Sequence, residues 1–545
     1  MTEIKFQRCF YKILIFCFIT LSGFTQVQNP ILPGFYPDPS ICRVNDDYYL
    51  VNSSFSYFPG VPIFHSKDLS NWQQIGHVLN RKSQLNLTSE GMSGGIYAPS
   101  IRYYNNTFFL ISTFIGKNGG NFYVTTKNPK QSWSDPIKLP DINGIDPDFF
   151  FDDDGKCYIL YNSAVSDSKP LYGGHRSIWI QQYDIENKKN IGKKIEIVNG
   201  GTDITKKPIW VEGPHLFKKN NLYYLICAQD GTGYNHSEVV FKSKSVFGPY
   251  ESYKDNPILS QKDASKNRDF IVTSPGHADF VETKKGDWVA VYLGCQPYEG
   301  DYYNTGRETF IQNIDWNSDW PIILEKGKTV PKYVSLPLPK KDRYSFRKYS
   351  ANWKDDFDND TLKYDWNFIR TPKYKWYTFK NSTLEITANN VPISIKGNPS
   401  FIGRRQQHAK AEFVTSLQLE KGTNLEAGIV AFQNENFFYK CVIEQQTEKY
   451  FISISSAVEN FERLELNNFN AQKTIYLKIS SNKINYQFHY SFDNNYWKPI
   501  GGKLDVKHLS SKLAGGYIGA YLGLYSFSKE ENAKVFFDWA HYKAI

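Results

Sequence analysis

Five times within its first 335 residues the chain repeats one pattern: a short acidic or small-residue turn, a strand, a polar hairpin turn and an aromatic strand. The copies read DPSICRVNDDYYLVNSS from Asp38, APSIRYYNNTFFLISTF from Ala98, DPDFFFDDDGKCYILYN from Asp146, GPHLFKKNNLYYLICAQ from Gly213 and HADFVETKKGDWVAVYL from His277. Their starting points lie 60, 48, 67 and 64 residues apart. Each copy carries its turn signal at the same place: Asn45-Asp46-Asp47, Asn105-Asn106, Asp153-Asp154-Gly155, Asn220-Asn221 and Lys285-Gly286. A second strand pair follows, as in NFYVTTKNPKQSWSDPI from residue 121 and EVVFKSKSVFGPYES from residue 238. A four-stranded unit of about 60 residues is one propeller blade, and five of them predict a closed five-bladed β-propeller over residues 27–335.

In a propeller the first strand of each blade lies against the central channel. Equivalent repeat positions therefore form a ring at one rim: Asp38, Ala98, Asp146, Gly213 with Glu212 just before it, and His277. A single Asp-Pro is a common turn, and Glu212-Gly213-Pro214 alone reads as a loop entering a strand. Their coincidence in one column carries the functional expectation, because gathered carboxylates repel one another and cost free energy.

These stretches resemble glycoside hydrolase family 43, the β-xylosidases and α-L-arabinofuranosidases. The resemblance rests on residues 29–72 (NPILPGFYPDPS…KDLSNW), 97–113 (YAPSIRYYNNTFFLIST), 144–155 (GIDPDFFFDDDG), 210–225 (WVEGPHLFKKNNLYYL), 275–280 (PGHADF) and 306–312 (GRETFIQ). It implies that Asp38 is the general base, that Asp146 orients the acid and raises its pKa, and that Glu212 is the general acid. It also implies that Arg307 stands at the sugar subsite and His277 near the channel, where some relatives hold calcium or another ion. No cofactor is required by this reading; a structural calcium near His277 stays open.

The chemistry agrees with that assignment. Inverting hydrolysis needs one protonated carboxyl at the leaving oxygen and one carboxylate across the sugar, roughly 6.5–9.5 Å away, with water between. A third carboxylate near the acid keeps it protonated. Phe55, Phe58, Tyr97, Phe114, Tyr234 and His236 are candidate pocket residues, since aromatic faces suit the apolar face of a pentose; blade packing is the competing role for each. Asp152, Asp153 and Asp154 read as a solvated hairpin turn before a cation cluster.

After Pro321 the repeat stops. Residues 336–352 read as a Pro- and Lys-containing linker, and 353–545 as short alternating strands of a jelly-roll β-sandwich. Such a sandwich accompanies xylosidase-type relatives, where it packs on the propeller and lends a loop to the site's mouth. A narrowed mouth favours removal of terminal residues; a sugar-binding module is the alternative role for this half.

The amino terminus carries Lys5, Arg8 and Lys12 and then the apolar run ILIFCFITLSGF, 13–24. That is the pattern of a secretory signal peptide over residues 1–26, cleaved near Gln26, with an uncleaved anchor as the alternative. The expected location is secreted or periplasmic, with no stable membrane insertion after cleavage. Cysteines at 42, 157, 227, 295 and 441 are too irregular for a disulfide or zinc framework and read as buried thiols. The net charge of +9 is mild for 545 residues, and no basic stripe is present, which argues against nucleic acid as a partner. The expected partner is a pentose-containing oligosaccharide or polysaccharide. The leading expectation is an exo-acting inverting β-1,4-xylosidase, with α-L-arabinofuranosidase or a bifunctional enzyme as alternative and a non-catalytic sugar-binding propeller as the alternative of another class.

Overall fold

A computed structural model of the chain describes residues 25–336 and 351–545, apart from 266, 317, 422, 423, 468 and 472. The apolar run 13–24 and residues 337–350 of the expected linker lie outside the described residues. Thr25 and Gln26, at the end of the expected leader, stand in a strand, Thr25–Gln28, that pairs antiparallel with Tyr333–Leu336.

The architecture is all-β. Four four-stranded antiparallel sheets begin at Ser40, Gly95, Ile145 and Glu212, and a three-stranded sheet begins at Thr273. These are the five blades. Their first strands meet in succession around the axis, because each is small or polar at the rim and apolar further along, where it packs between neighbouring blades.

The fifth blade is completed by the start of the chain. Ile31 and Leu32 donate to the Thr309 carbonyl at 2.9 and 3.3 Å, and Thr309 donates back to Leu32 at 3.2 Å. The Asn29 side chain locks this seam by donating to Ile311 O at 3.0 Å and accepting from Ile311 N–H at 2.9 Å. Residues some 280 apart thus close the ring, and the last blade has no open edge there.

The C-terminal half is a sandwich of two eight-stranded sheets. One strand of the second sheet comes from the propeller: Tyr57–Phe58 pairs with Asn367–Ile369, with Phe58 opposite Phe368. Phe58 therefore leaves blade 1 and enters a core shared by both domains, among Phe368, Trp376 and Ile402. This corrects the expectation that Phe58 shapes a sugar pocket. Buried Arg370 reinforces the joint, donating to the Glu90 carbonyl and to the Glu435 carboxylate.

Candidate active site

Four of the five channel strands slip register at the rim, between Tyr97 and Ser100, Ile145 and Asp148, Glu212 and His215, and Gly276 and Asp279. At the equivalent places Asp38, Asp146, Gly213 and His277 adopt left-handed backbone, with φ of 51°, 54°, 57° and 51°. For a residue with a side chain this conformation costs of order 1–3 kcal/mol. At Asp146 and His277 the bulge turns the side chain out of the pleat and towards the axis. Proline follows at 39, 99, 147 and 214, and having no N–H it leaves no orphan donor in the broken ladder.

The result is one pit, lined by Asp38, Ala98, Asp146, Gly213 and His277, one residue from each blade. Gly213 has a steric reason as well as a conformational one. A Cβ there would stand 2.8 Å from His277 Nε2, so the imidazole lies flat against the glycine backbone. The Gly213 N–H donates to Asp146 at 3.2 Å.

The three acids are buried, yet their environments push them apart. Burial alone would raise Asp38; Arg307, which donates from Nη1 at 2.8 Å, and the Ser53 hydroxyl at 2.6 Å hold it below the usual carboxylate range. Burial and the charge of Asp38 lift Asp146 to about 7, against the opposing Gly213 N–H. Burial and the charges of Asp146 and Asp38 drive Glu212 well above its ordinary value. Ionisation is thus favoured at the first and disfavoured at the last.

Two positions deeper, a second ring supports the first. Ser40, Ser100, Asp148, His215 and Asp279 again come one from each blade. Arg102 joins them, donating to Asp279 at 2.7 Å and to Asp148 at 2.8 Å, while Ser40 donates to Asp279 at 2.6 Å and Ser100 to Asp148. His215 Nδ1 stands 3.0 Å from Asp148. Satisfying two buried carboxylates with one planar guanidinium pins three blades together beneath the acids.

The other expected pocket residues divide. Phe55 lies under Arg307, with the guanidinium carbon 5.7 Å from its ring centroid, and 5.0 Å from Tyr97. Both therefore stand beside the partner of Asp38, and Tyr97 is close enough to Asp38 and Asp146 to interact with them electrostatically. His236 is buried beside His277: its Nδ1–H donates to Ser274 O at 3.0 Å, while Nε2 has no hydrogen-bond partner. Burial lowers both histidines to about 4, so both are neutral imidazoles. Phe114 packs against the shared core instead, and Tyr234 is exposed on the turn leading to His236, interacting with Arg268. Neither touches the acids, which corrects the expectation for both.

Tyr517, which nothing in the sequence singled out, arrives from the sandwich. Its N–H donates to Ser93 Oγ at 3.0 Å, and its ring sits 6.1 Å from Phe55 and 5.9 Å from the Arg307 guanidinium.

Calcium prefers six to eight oxygen ligands. Around His277 the nearby carboxylates are already engaged, Asp38 by Arg307 and Ser53 and Asp279 by Arg102 and Ser40. Among the described residues no group of three or more His, Cys, Asp or Glu is arranged to hold a metal ion. The residues do not fit the ion. Asp152 is likewise no ligand and only partly a solvated turn: it accepts from Lys218 at 2.7 Å and from the Tyr223 hydroxyl at 2.6 Å, tying blade 3 to blade 4. The five cysteines are free and buried.

The model of glycosyl hydrolases family 43 matches residues 27–321, the whole ring of blades. The chain belongs to glycosyl hydrolase family 43. A second model, the beta xylosidase C-terminal concanavalin A-like domain, matches residues 354–543 of this family 43 enzyme. A xylosidase/arabinosidase of Butyrivibrio fibrisolvens is 35% identical, covering 94% of this chain and 98% of its own. The non-reducing end alpha-L-arabinofuranosidase BoGH43B of Bacteroides ovatus is 34% identical, covering 95% of each. A family 43 crystal structure retrieved from capybara gut metagenome superposes with a TM-score of 0.85 at 40% identity, covering 92% of this chain and 95% of that one. The protein is a glycoside hydrolase, and among its described residues no helix is long and apolar enough to cross a membrane.

Proposed function

We propose that this protein is an exo-acting, inverting glycosidase that releases terminal pentose, foremost as a β-1,4-xylosidase. The observation that carries the reading is the opposite displacement of two neighbouring buried acids: Asp38 lowered by its ion pair with Arg307, Glu212 raised by burial and by the charges of Asp146 and Asp38. In this scheme Glu212 gives its proton to the departing oxygen while Asp38 takes one from water attacking the opposite face of the sugar. Asp146 acts through Glu212, keeping its proton on at neutral pH. Arg307, His277 and the free Nε2 of His236 supply hydrogen-bonding groups for the sugar hydroxyls, with Phe55 and Tyr97 as apolar wall.

The sandwich supports the exo mode. Tyr517, held beside Arg307 and Phe55, brings the sandwich to the side of the proposed base, which favours entry of a chain by its end. α-L-Arabinofuranosidase activity is the second reading, favoured by the names of the Butyrivibrio and Bacteroides relatives. The apolar run at residues 13–24 supports action outside the cytoplasm, in a periplasm or beyond.

Proton NMR of the first sugar released, with nitrophenyl β-xyloside and nitrophenyl α-L-arabinofuranoside run side by side, tests the proposal. Inverted product from either pentoside is expected, and the faster one names the specificity. Retained configuration would refute the two-carboxylate scheme. Sugar binding with no turnover of any pentoside would return the propeller to a binding role.

A further inference from the structure

An exposed tryptophan stands two residues before the proposed acid. Trp210 is 40% exposed, adopts left-handed backbone with φ of 50°, and is flanked by Ile209, itself 39% exposed. A large apolar surface left to water beside a catalytic pit calls for a ligand. The position is held from both sides. Trp210 N–H donates to Gly174 O at 2.8 Å, and Asp230 N–H donates to Ile209 O at 2.8 Å, so three loops of blades 3 and 4 meet at this point.

A cation lies over the ring. The Arg176 guanidinium carbon is 5.2 Å from the Trp210 ring centroid. Arg176 is fixed by two hydrogen bonds, Nε and Nη2 to Asn162 Oδ1 at 2.9 and 2.6 Å, with Nη1 outside that fork. The same Asn162 donates from Nδ2 to the Val211 carbonyl, the peptide that enters Glu212. One amide side chain therefore sets the pair and the acid in a common frame. Arg176 is also near enough to Glu212 and Asp146 to interact with both electrostatically.

The side of the pit matters. Asp38, Arg307, Phe55 and Tyr517 occupy the flank of blades 1 and 5 and the sandwich. Arg176 and Trp210 occupy the flank of blades 3 and 4, on which Glu212 stands. In an inverting reaction the water comes from the base's side and the leaving group departs on the acid's side. We infer that the Arg176–Trp210 pair is the platform for the sugar unit on the leaving side of the scissile bond, the indole taking the apolar face of a pyranose and Arg176 its hydroxyls. This rests on the proposed function, which assigns the proton donor to Glu212.

The test compares Trp210→Ala and Trp210→Phe with the unaltered enzyme on xylotriose and on β-xylosyl fluoride, whose leaving group is a single atom. For Trp210→Ala, kcat/KM on the trisaccharide is expected to fall about fivefold to tenfold further than on the fluoride, through KM, with Trp210→Phe recovering most of the difference. Equal losses on both substrates, or no loss on either, would overturn the platform. Calorimetry with xylotriose and xylose in the Glu212→Gln background separates the two readings. A selective loss of trisaccharide affinity in Trp210→Ala upholds the platform even if the parent enzyme turns over no pentoside, in which case only the hydrolase reading falls. Unchanged trisaccharide affinity removes the platform and leaves the hydrolase reading standing.

Discussion

Arg307 donates to Asp38 at 2.8 Å while its guanidinium spans the rings of Phe55 and Tyr517, 5.7 and 5.9 Å away. One side chain thus sets the charge of the proposed base and links it to the wall of the sugar pocket and to the sandwich. Removing it should act on both at once. In Arg307→Ala, Asp38 loses the partner that lowers its pKa, so the acid limb of the kcat/KM profile should move to higher pH, with KM raised. Arg307→Lys should recover part of the pH shift and less of the KM. An unmoved acid limb would show that Asp38 is not the group titrating there.

Asp146→Asn should move the opposite limb. Without the neighbouring negative charge Glu212 gives up its proton more readily, and the alkaline limb shifts to lower pH. The same variant should gain thermal stability with rising pH. Asp146 in the folded state is lifted to about 7, so the native protein holds a proton that the unfolded chain sheds above its ordinary value near 3.8. The native state is therefore penalised progressively as pH climbs from 4 to 7, and the neutral amide escapes this. Melting curves at pH 4 and pH 8 check the sign: the difference from the parent should be larger at pH 8.

Glu212→Gln and Asp38→Asn should each lower kcat by about 10²–10⁴ with the fold intact. Circular dichroism beside steady-state rates distinguishes this outcome from unfolding.

Gly213→Ala should fail for two reasons that add. The backbone has φ of 57°, and the new methyl would stand 2.8 Å from His277 Nε2. A drop in melting temperature worth about 1–3 kcal/mol, with His277 displaced and most activity lost, is expected. A crystal structure showing His277 unmoved would refute the steric account.

Phe58→Ala should behave oppositely to a pocket mutation. Its ring is buried in the shared core, so truncation should cost about 3–5 kcal/mol of stability. KM measured well below the melting transition should stay near that of the parent.

The ring of acids was legible because propeller repeats bring equivalent positions to one rim, with Asp38 and Asp146 in the repeat column and Glu212 just before its Gly213 member. The neighbours were not, because nearness in sequence says nothing of direction. Phe55 and Phe58 are three residues apart, yet one lies under Arg307 and the other crosses into the sandwich sheet. Phe114 sits at a strand end and packs into the shared core, and Tyr234 stands exposed on a turn. Tyr517 joins the site from more than 200 residues past the last blade motif, on a loop whose Gly515, Gly516 and Gly519 allow close docking but announce nothing. Trp210 stands two residues before Glu212, inside the motif WVEGPH, where its sequence carries no sign that the ring is left exposed.

The strand Tyr57–Phe58 makes the first blade donate backbone to the second domain's sheet. The two halves are consequently one folding unit in their stability even where sequence models divide them. A propeller severed after Leu336 would expose an unpaired edge and a slab of apolar core, and a sandwich expressed alone would lack an edge strand. Grafting this sandwich onto a foreign catalytic ring would therefore require transplanting the first-blade hairpin along with it.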